Sequence, residues 1–167
     1  TSGAGSPVAS NTTKANTKVV YTAGEQTFNG TFDGKGFSIT NLTFTYNLED
    51  GNIAHGLFNA LGSSGIIKNL TIAGNAIITG NAPQGAAIGG LVGYCEGSIL
   101  ACTNKINISF EGTDAANFGV RLGGLAGVLF GNKIGDTTQA NGCINEGMLT
   151  CGAIANTASG AYSAFNQ

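Results

Sequence analysis

Apolar and polar residues alternate in four segments of this chain. The segments begin Ile39-Thr-Asn-Leu-Thr-Phe, Ile67-Lys-Asn-Leu-Thr-Ile, Ile99-Leu-Ala-Cys-Thr-Asn and Ala140-Asn-Gly-Cys-Ile-Asn. Side chains two residues apart in a strand point to the same side. The pattern therefore predicts four equivalent strands whose inward set is almost entirely apolar: Leu42, Phe44, Leu70, Ile72, Ala76, Ile78, Cys102, Asn104, Ile106, Ile108, Phe110, Cys143, Asn145, Leu149 and Cys151.

A glycine-rich unit repeats between these strands. Gly89-Gly90-Leu91-Val92-Gly93 recurs as Gly123-Gly124-Leu125-Ala126-Gly127 and, less completely, as His55-Gly56-Leu57-Phe58. The three leucines are 34 residues apart both times (91 − 57 and 125 − 91). A fixed period in this range is typical of solenoids, propellers and repeat stacks. We expect structural roles in this repeat for Gly56, Leu57, Gly90, Leu91, Gly93, Gly124, Leu125 and Gly127.

The combination of short strands and this period predicts an all-β solenoid. Helical repeats are disfavoured because the chain has 28 glycines in 167 residues, and each interior glycine costs a helix about 1 kcal/mol. A propeller blade would need hairpin turns, which are missing from each unit. We therefore expect a parallel β-helix of about four coils, with a flexible lead or linker over residues 1–18 and the repeat domain over 19–167.

The charge distribution narrows the possible partners. The formal net charge is −2, and the seven Lys and Arg residues are spread along the chain. Nucleic-acid binding needs a concentrated basic surface, so we expect no nucleic-acid partner. No apolar run approaches the ~20 residues that span a bilayer, so we expect no transmembrane segment.

The repeat units carry a family resemblance. Gly-Leu-Phe, Gly-Gly-Leu-Val-Gly and Gly-Gly-Leu-Ala-Gly, each followed by an Ile/Cys-x-Asn strand, resemble the GLUG repeat of bacterial secreted and cell-surface proteins. The opening Phe28-x-Gly-x-Phe-Asp-Gly-x-Gly-x-x-Ile39 resembles the first coil of right-handed parallel β-helices of the pectate-lyase-like superfamily. The resemblance implies a right-handed β-helix and an extracellular or cell-surface location. It further implies an adhesin-like or stalk-like module that continues into further coils of a larger protein.

The residues that could carry chemistry are few. A glycoside-cleaving β-helix needs two carboxylates about 5 to 10 Å apart, and the nine acids are scattered. His55 is the single histidine and is expected at a turn or on the surface. Asp33-Gly34-Lys35-Gly36 reads as a turn rather than a Ca²⁺ loop, since it offers one carboxylate. We predict no catalytic residues, no metal and no cofactor, with a polysaccharide lyase or glycoside hydrolase as the main alternative.

The outward strand positions are the candidate binding face. They carry hydrogen-bonding side chains suited to a glycan or a host or matrix surface, and the predicted binding residues are Thr43, Thr71, Thr103, Lys105, Asn107 and Glu146. Lys105 and Glu146 fall at matching positions in successive coils, which predicts a charge ladder. Thr43, Thr71 and Thr103 are predicted to form one outward column, which suggests ice binding as a lesser alternative.

Three further patterns concern single residue types. Cys102 and Cys143 are expected to stack as buried free thiols, and Asn104 and Asn145 to form a hydrogen-bonded ladder. Asn-x-Ser/Thr triplets begin at Asn29, Asn41, Asn69 and Asn107. They are acceptors only in a secretory pathway that glycosylates them, and the sequence by itself favours chance. The segment after Cys151 is expected to begin another coil that a neighbour must cover.

Overall fold

A computed structural model describes residues 27–50, 54–80, 86–112, 120–130, 134–135 and 142–151. These ranges contain short β-strands, one 3₁₀ turn at Leu48–Asp50 and no α-helix. The all-β prediction is therefore confirmed. The predicted lead over residues 1–18 and the segment after Cys151 lie outside the described residues.

The described strands form four sheets, and successive stretches of chain each add a strand to the same sheets. The last stretch adds two short strands, β14 and β15, to the third sheet. The first sheet contains β1 (Thr27–Phe28), β5 (Phe58–Leu61), β9 (Val92–Cys95) and β13 (Ala126–Leu129). The second contains β2 (Thr31–Asp33), β6 (Ile66–Lys68) and β10 (Ser98–Leu100). The third contains β3 (Ser38–Asn47), β7 (Thr71–Thr79), β11 (Thr103–Phe110), β14 (Ile144–Asn145) and β15 (Leu149–Cys151). The fourth contains β4 (Ala54–His55), β8 (Ala86–Gly89) and β12 (Val120–Gly123).

Every pairing between these strands is parallel. Phe58 pairs with Val92, and Val92 pairs with Ala126, so the partners are 34 residues apart (92 − 58 and 126 − 92). The repeat leucines precede these three residues, and the Leu91 N–H donates to the Leu125 carbonyl at 3.1 Å. The period deduced from the leucines is therefore the pairing distance of β5, β9 and β13 in the first sheet.

The register of the first predicted strand differs from our expectation. Ile39–Phe44 was expected to match Ile67–Ile72, but Ser38 pairs with Thr71 and Phe32 pairs with Ile67. Between Ile39 and Leu42 the register shifts by one extra residue, and Asn41 has a positive φ of 58°. This β-bulge returns Leu42 and Phe44 to the inward side, because a side chain faces the same way every second residue.

The predicted inward residues form the core. On β3, β7 and β11 and at the residues just before β7 and β11 they are all buried: Leu42, Phe44, Leu70, Ile72, Ala76, Ile78, Cys102, Asn104, Ile106, Ile108 and Phe110. On the last described coil the prediction holds less well, since Cys143, Leu149 and Cys151 are half-buried and Asn145 is exposed. In the described part, β14 and β15 pair with β11 alone, so nothing there covers their other side.

Candidate functional site

The six predicted binding residues all lie on the outward face of the third sheet, in three columns rather than the arrangement expected. Thr71 and Thr103 are paired, and the column continues to Ile144. Thr43 is paired with Asn75, which is paired with Asn107. The predicted Thr43–Thr71–Thr103 column is therefore wrong, because β3 pairs with β7 in a different register from the expected one and Ser38, not Thr43, lies beside Thr71.

Lys105 and Glu146 form the central column of this face, one residue pair beyond Asn104 and Asn145. The Lys105 Nζ atom lies 2.9 Å from a Glu146 carboxylate oxygen, and both side chains are close to half exposed. The predicted charge ladder is confirmed. An exposed pair of this kind contributes about 0.2 to 1 kcal/mol, so the pair orders the face more than it stabilises the fold.

The third column contains Thr43 and two asparagines, Asn75 and Asn107. Asn107 Nδ2 donates to Asn75 Oδ1 at 3.4 Å, and Asn107 Oδ1 accepts from the Met148 N–H at 3.0 Å. Thr43, Asn75 and Asn107 are exposed. The face therefore carries hydroxyl, amide, ammonium and carboxylate groups on one sheet. Neighbouring strands are about 4.8 Å apart, so the residues of each column repeat at that distance. Such groups suit hydrogen bonding to a polyhydroxylated ligand.

Asn104 and Asn145 form an inward amide ladder, as the sequence predicts. Asn104 Nδ2 donates to Asn145 Oδ1 at 2.8 Å, and the Ile106 N–H donates to Asn104 Oδ1 at 3.1 Å. The amides pack against the repeat glycines: a Cβ on Gly90 would meet the Asn104 side chain, and one on Gly124 would meet Asn145. The close approach explains the glycine at these two positions. The amide ladder therefore requires the glycines of the repeat.

The cysteines of the described chain are free thiols. Cys102 is buried and Cys143 is half-buried. A hydrogen bond between the two thiols lowers the pKa of Cys143 to about 7 and, together with burial, raises the pKa of Cys102. Burial raises the pKa of Cys95 to about 11. Cys102 and Cys143 thus lie at matching positions of successive strands, as predicted, although Cys143 is only half-buried.

Asp33 is the centre of a polar network that the sequence did not predict. Its Oδ1 atom accepts from Asn69 Nδ2 and from the Lys35 N–H, both at 2.9 Å, and its Oδ2 atom lies 3.6 Å from Lys68 Nζ. These hydrogen bonds, that of Asn69 first, lower the pKa of the Asp33 carboxyl. The Asp33 carboxylate accepts a hydrogen bond from the backbone of its own turn at Lys35, which agrees with the interpretation of this segment as a turn. Asp33 pairs with Lys68 across β2 and β6. The opposite charges of the two residues could have indicated this contact, but the register that we expected for these strands did not place them side by side.

His55 is buried, with 4% of its surface exposed, whereas we expected it at a turn or on the surface. It lies in β4 opposite Ile88, and its ring is 4.6 Å from that of Tyr46. The Tyr46 hydroxyl donates to the Gly56 carbonyl at 3.1 Å. The histidine therefore takes a buried position of the fourth sheet, where its ring packs against that of Tyr46 at an angle of 38°.

A recess of about 1050 Å³ opens beside β12 and β13. Its described lining has one charged residue, Arg121, with small, apolar and amide residues around it, including Gly124, Leu125, Ile134 and Asn145, and it includes no carboxylate. The described ranges also contain no group of three His, Cys, Asp or Glu residues that could hold a metal ion. No helix within them has the length and apolar character needed to cross a membrane.

Comparison with known proteins gives one informative similarity. Over 108 residues, or 65% of the chain, the sequence is 36% identical to Halomucin from Haloquadratum walsbyi (strain DSM 16790 / HBSQ001). The matched stretch covers 1% of Halomucin, so the chain spans a small part of that relative. No family model matches the chain, and no solved structure matches it.

Proposed function

We propose that the chain is a right-handed parallel β-helix of about four coils and a non-enzymatic module of an extracellular or cell-surface protein. The architecture is supported by strands that rotate through four parallel sheets with partners 32 to 41 residues apart (103 − 71 and 144 − 103). The GLUG-like repeat belongs to this proposal, because Gly90 and Gly124 leave room for the inward amides.

The location is supported by the similarity to Halomucin, whose name marks it as a mucin. We place the module in a protein of that general kind, adhesin-like or stalk-like and attached to further coils. The low charge of the chain, with 10% Asp, Glu, Lys and Arg, fits a scaffold better than a site for acid–base chemistry.

The binding surface in this proposal is the outward face of the third sheet, and the ligand is a glycan. The carrying observation is the set of aligned polar columns, in which Lys105–Glu146 and Asn75–Asn107 hold their side chains across neighbouring strands. Side chains held by ladder contacts lose little further freedom on binding, which lowers the entropic cost of recognition.

A glycan array probed with the labelled full chain tests this function. We expect selective binding that weakens in the double variant Lys105→Gln, Glu146→Gln, which keeps the net charge. Lys35→Gln, on the turn between β2 and β3, is the matched control and should bind like the unchanged chain. A binding profile identical in all three proteins would remove this face from the proposal.

The enzyme alternative is tested separately with a panel of polysaccharide lyase and hydrolase substrates. We expect no turnover. Release of reducing ends or of unsaturated sugars from any polysaccharide would reject the scaffold function, and Arg121→Ala would then show whether the recess beside β12 carries the reaction.

A further inference from the structure

The described chain contains four Asn-x-Ser/Thr triplets, which begin at Asn29, Asn41, Asn69 and Asn107. Such a triplet accepts an N-linked glycan in a secretory pathway that carries out the reaction. The side-chain amide must reach the transferase, so its accessibility and its hydrogen bonds distinguish one triplet from another. The sequence does not distinguish the four triplets, whereas in the structure their asparagine side chains differ in hydrogen bonding.

Three of the four amides are engaged. Asn69 Nδ2 donates to the Asp33 carboxylate at 2.9 Å, which is the strongest type of bond among the three because the acceptor is charged. Asn107 Nδ2 donates to Asn75 Oδ1 at 3.4 Å, and Asn29 Nδ2 donates to the Thr27 carbonyl at 3.2 Å. In each case the nitrogen that would attack the sugar is held by the fold.

Asn41 differs from the other three asparagines in its hydrogen bonding and in its backbone. Its side chain is exposed, as are those of Asn29 and Asn107, but in the described part of the chain the Asn41 side chain has no hydrogen-bond partner. It lies in the bulge between Ile39 and Leu42, where the strand has no residue-to-residue partner in β7. Thr43, which completes the triplet, is exposed as well. The bulge therefore presents a bent, unpaired acceptor on the outer surface of an ordered strand.

We propose that Asn41-Leu42-Thr43 is the acceptor site for one N-linked oligosaccharide, an inference that rests on the extracellular location proposed above. The donor is an oligosaccharide carried on a lipid phosphate. Asn41 Nδ2 forms a bond to the anomeric carbon while the bond from that carbon to the phosphate oxygen breaks. The phosphate leaves with the electron pair, and a base of the transferase takes the proton from Nδ2.

The position gives the glycan a structural effect. β3 pairs with β7 on one side, and in the described part no strand pairs with its other side. An open strand edge invites pairing with another chain, and natural proteins cover or interrupt such edges. A bulky hydrophilic group at Asn41 stands beside this edge and hinders the approach of a second strand.

The test uses the folded full chain, a purified oligosaccharyltransferase and its lipid-linked oligosaccharide, with site-resolved glycopeptide mass spectrometry. Asn11, which begins a further triplet outside the described residues, is replaced by Gln in every protein. We expect one glycan at Asn41, lost in both Asn41→Gln and Thr43→Ala and retained in Thr43→Ser. Modification of Asn69 should be slower by about tenfold or more, because its bond to Asp33 must first break.

Asn69→Gln and Asn107→Gln are the matched controls and should keep the glycan at Asn41. Thermal melts of each variant separate loss of the acceptor from loss of the fold, and Thr43→Ala leaves the bulge residue itself unchanged. Equal or greater occupancy of Asn29, Asn69 or Asn107 in the folded chain would overturn the proposal. So would an unmodified folded chain when the same transferase modifies an unfolded copy. Neither outcome depends on the glycan-array result, so failure of this site and failure of the proposed binding function are distinguishable.

Discussion

The Nζ atom of Lys105 lies 2.9 Å from a carboxylate oxygen of Glu146, a residue 41 positions further along the chain. The two residues lie at matching positions of β11 and of the segment that follows β14. The contact joins the strands that have the largest sequence separation among the described pairs, and its contribution to stability can be measured by substitution.

We expect Lys105→Glu to destabilise the fold, because it places two carboxylates side by side on the sheet. The free energy of unfolding should fall by about 0.5 to 1 kcal/mol at low salt, and by less at high salt as the charges are screened. Urea titration at two ionic strengths measures the change. Adding Glu146→Lys should restore stability; if the double variant is no better than the single one, the pair does not interact.

Replacing the buried Asn104 should lower the free energy of unfolding by more than the charge reversal at Lys105 does. Asn104→Ala deletes the acceptor of the Ile106 N–H and the donor to Asn145, so a buried amide is left unpaired. We expect a loss of about 1 to 3 kcal/mol in unfolding free energy. Asn75→Ala is the control, because Asn75 is exposed on the outward face of the same sheet. We expect it to change the unfolding free energy by no more than about 0.5 kcal/mol. Similar losses for both would mean that the amide ladder has no special role.

Ala101 occupies a position that suits a different residue. Its φ is 50°, and Asn69, at the same point of the preceding strand in the second sheet, has a φ of 54°. A left-handed conformation costs an L-residue such as alanine roughly 1 to 2 kcal/mol, while Asn and Gly adopt it more readily. We expect Ala101→Asn to raise the melting temperature measured by circular dichroism. Thr45→Asn, in the part of β3 that pairs regularly with β7, should not raise it, and a decrease for Ala101→Asn would contradict the left-handed conformation at this position.

The thiols should differ in reactivity with pH. Because the hydrogen bond from Cys102 lowers the pKa of Cys143 to about 7, alkylation of Cys143 should rise through neutral pH, while Cys95, with a pKa of about 11, should stay unreactive. Iodoacetamide labelling read by peptide mass spectrometry from about pH 6 to about pH 10 measures this. Cys102→Ala should move the Cys143 midpoint upward. Recovery of a linked Cys102–Cys143 peptide from unreduced protein would exclude the free thiol pair.

The sequence predicted those parts of the fold that depend on periodic burial. Leu57, Leu91 and Leu125 marked the pairing distance of the first sheet, and alternation after Leu70 and Cys102 separated core from surface. Regular alternation is a strong signal because each wrongly placed residue would expose an apolar group or bury a polar one. The Lys105–Glu146 contact followed from the same reasoning.

The errors arose where the chain departs from regular alternation. The shared sequence Ile-x-Asn-Leu-Thr aligned Thr43 with Thr71, whereas the ladder pairs Ser38 with Thr71. The extra residue at Thr40–Asn41 then places Thr43 beside Asn75 rather than Ala76. A bulge shifts the phase of the alternation, so Ile39 and Leu42 both face inward although they are three residues apart. The shift was not recognised because the alternation is regular on both sides of it. The burial of His55 was missed because it depends on the ring of Tyr46, a contact between two sheets that no local pattern encodes.

The parallel ladders also set the course of folding. In the described part of the chain every pair of strands joins residues 32 to 41 positions apart, so none of these ladders begins with a neighbouring hairpin. The chain must close a loop of more than thirty residues before the first ladder bond repays the lost entropy, and nonlocal topologies of this kind fold in milliseconds to seconds. Once two strands of a sheet are paired, each further strand adds to an edge that already exists. The nascent chain therefore gains little of this sheet structure until the second strand of each sheet has emerged, and the sheets then grow by addition of successive strands.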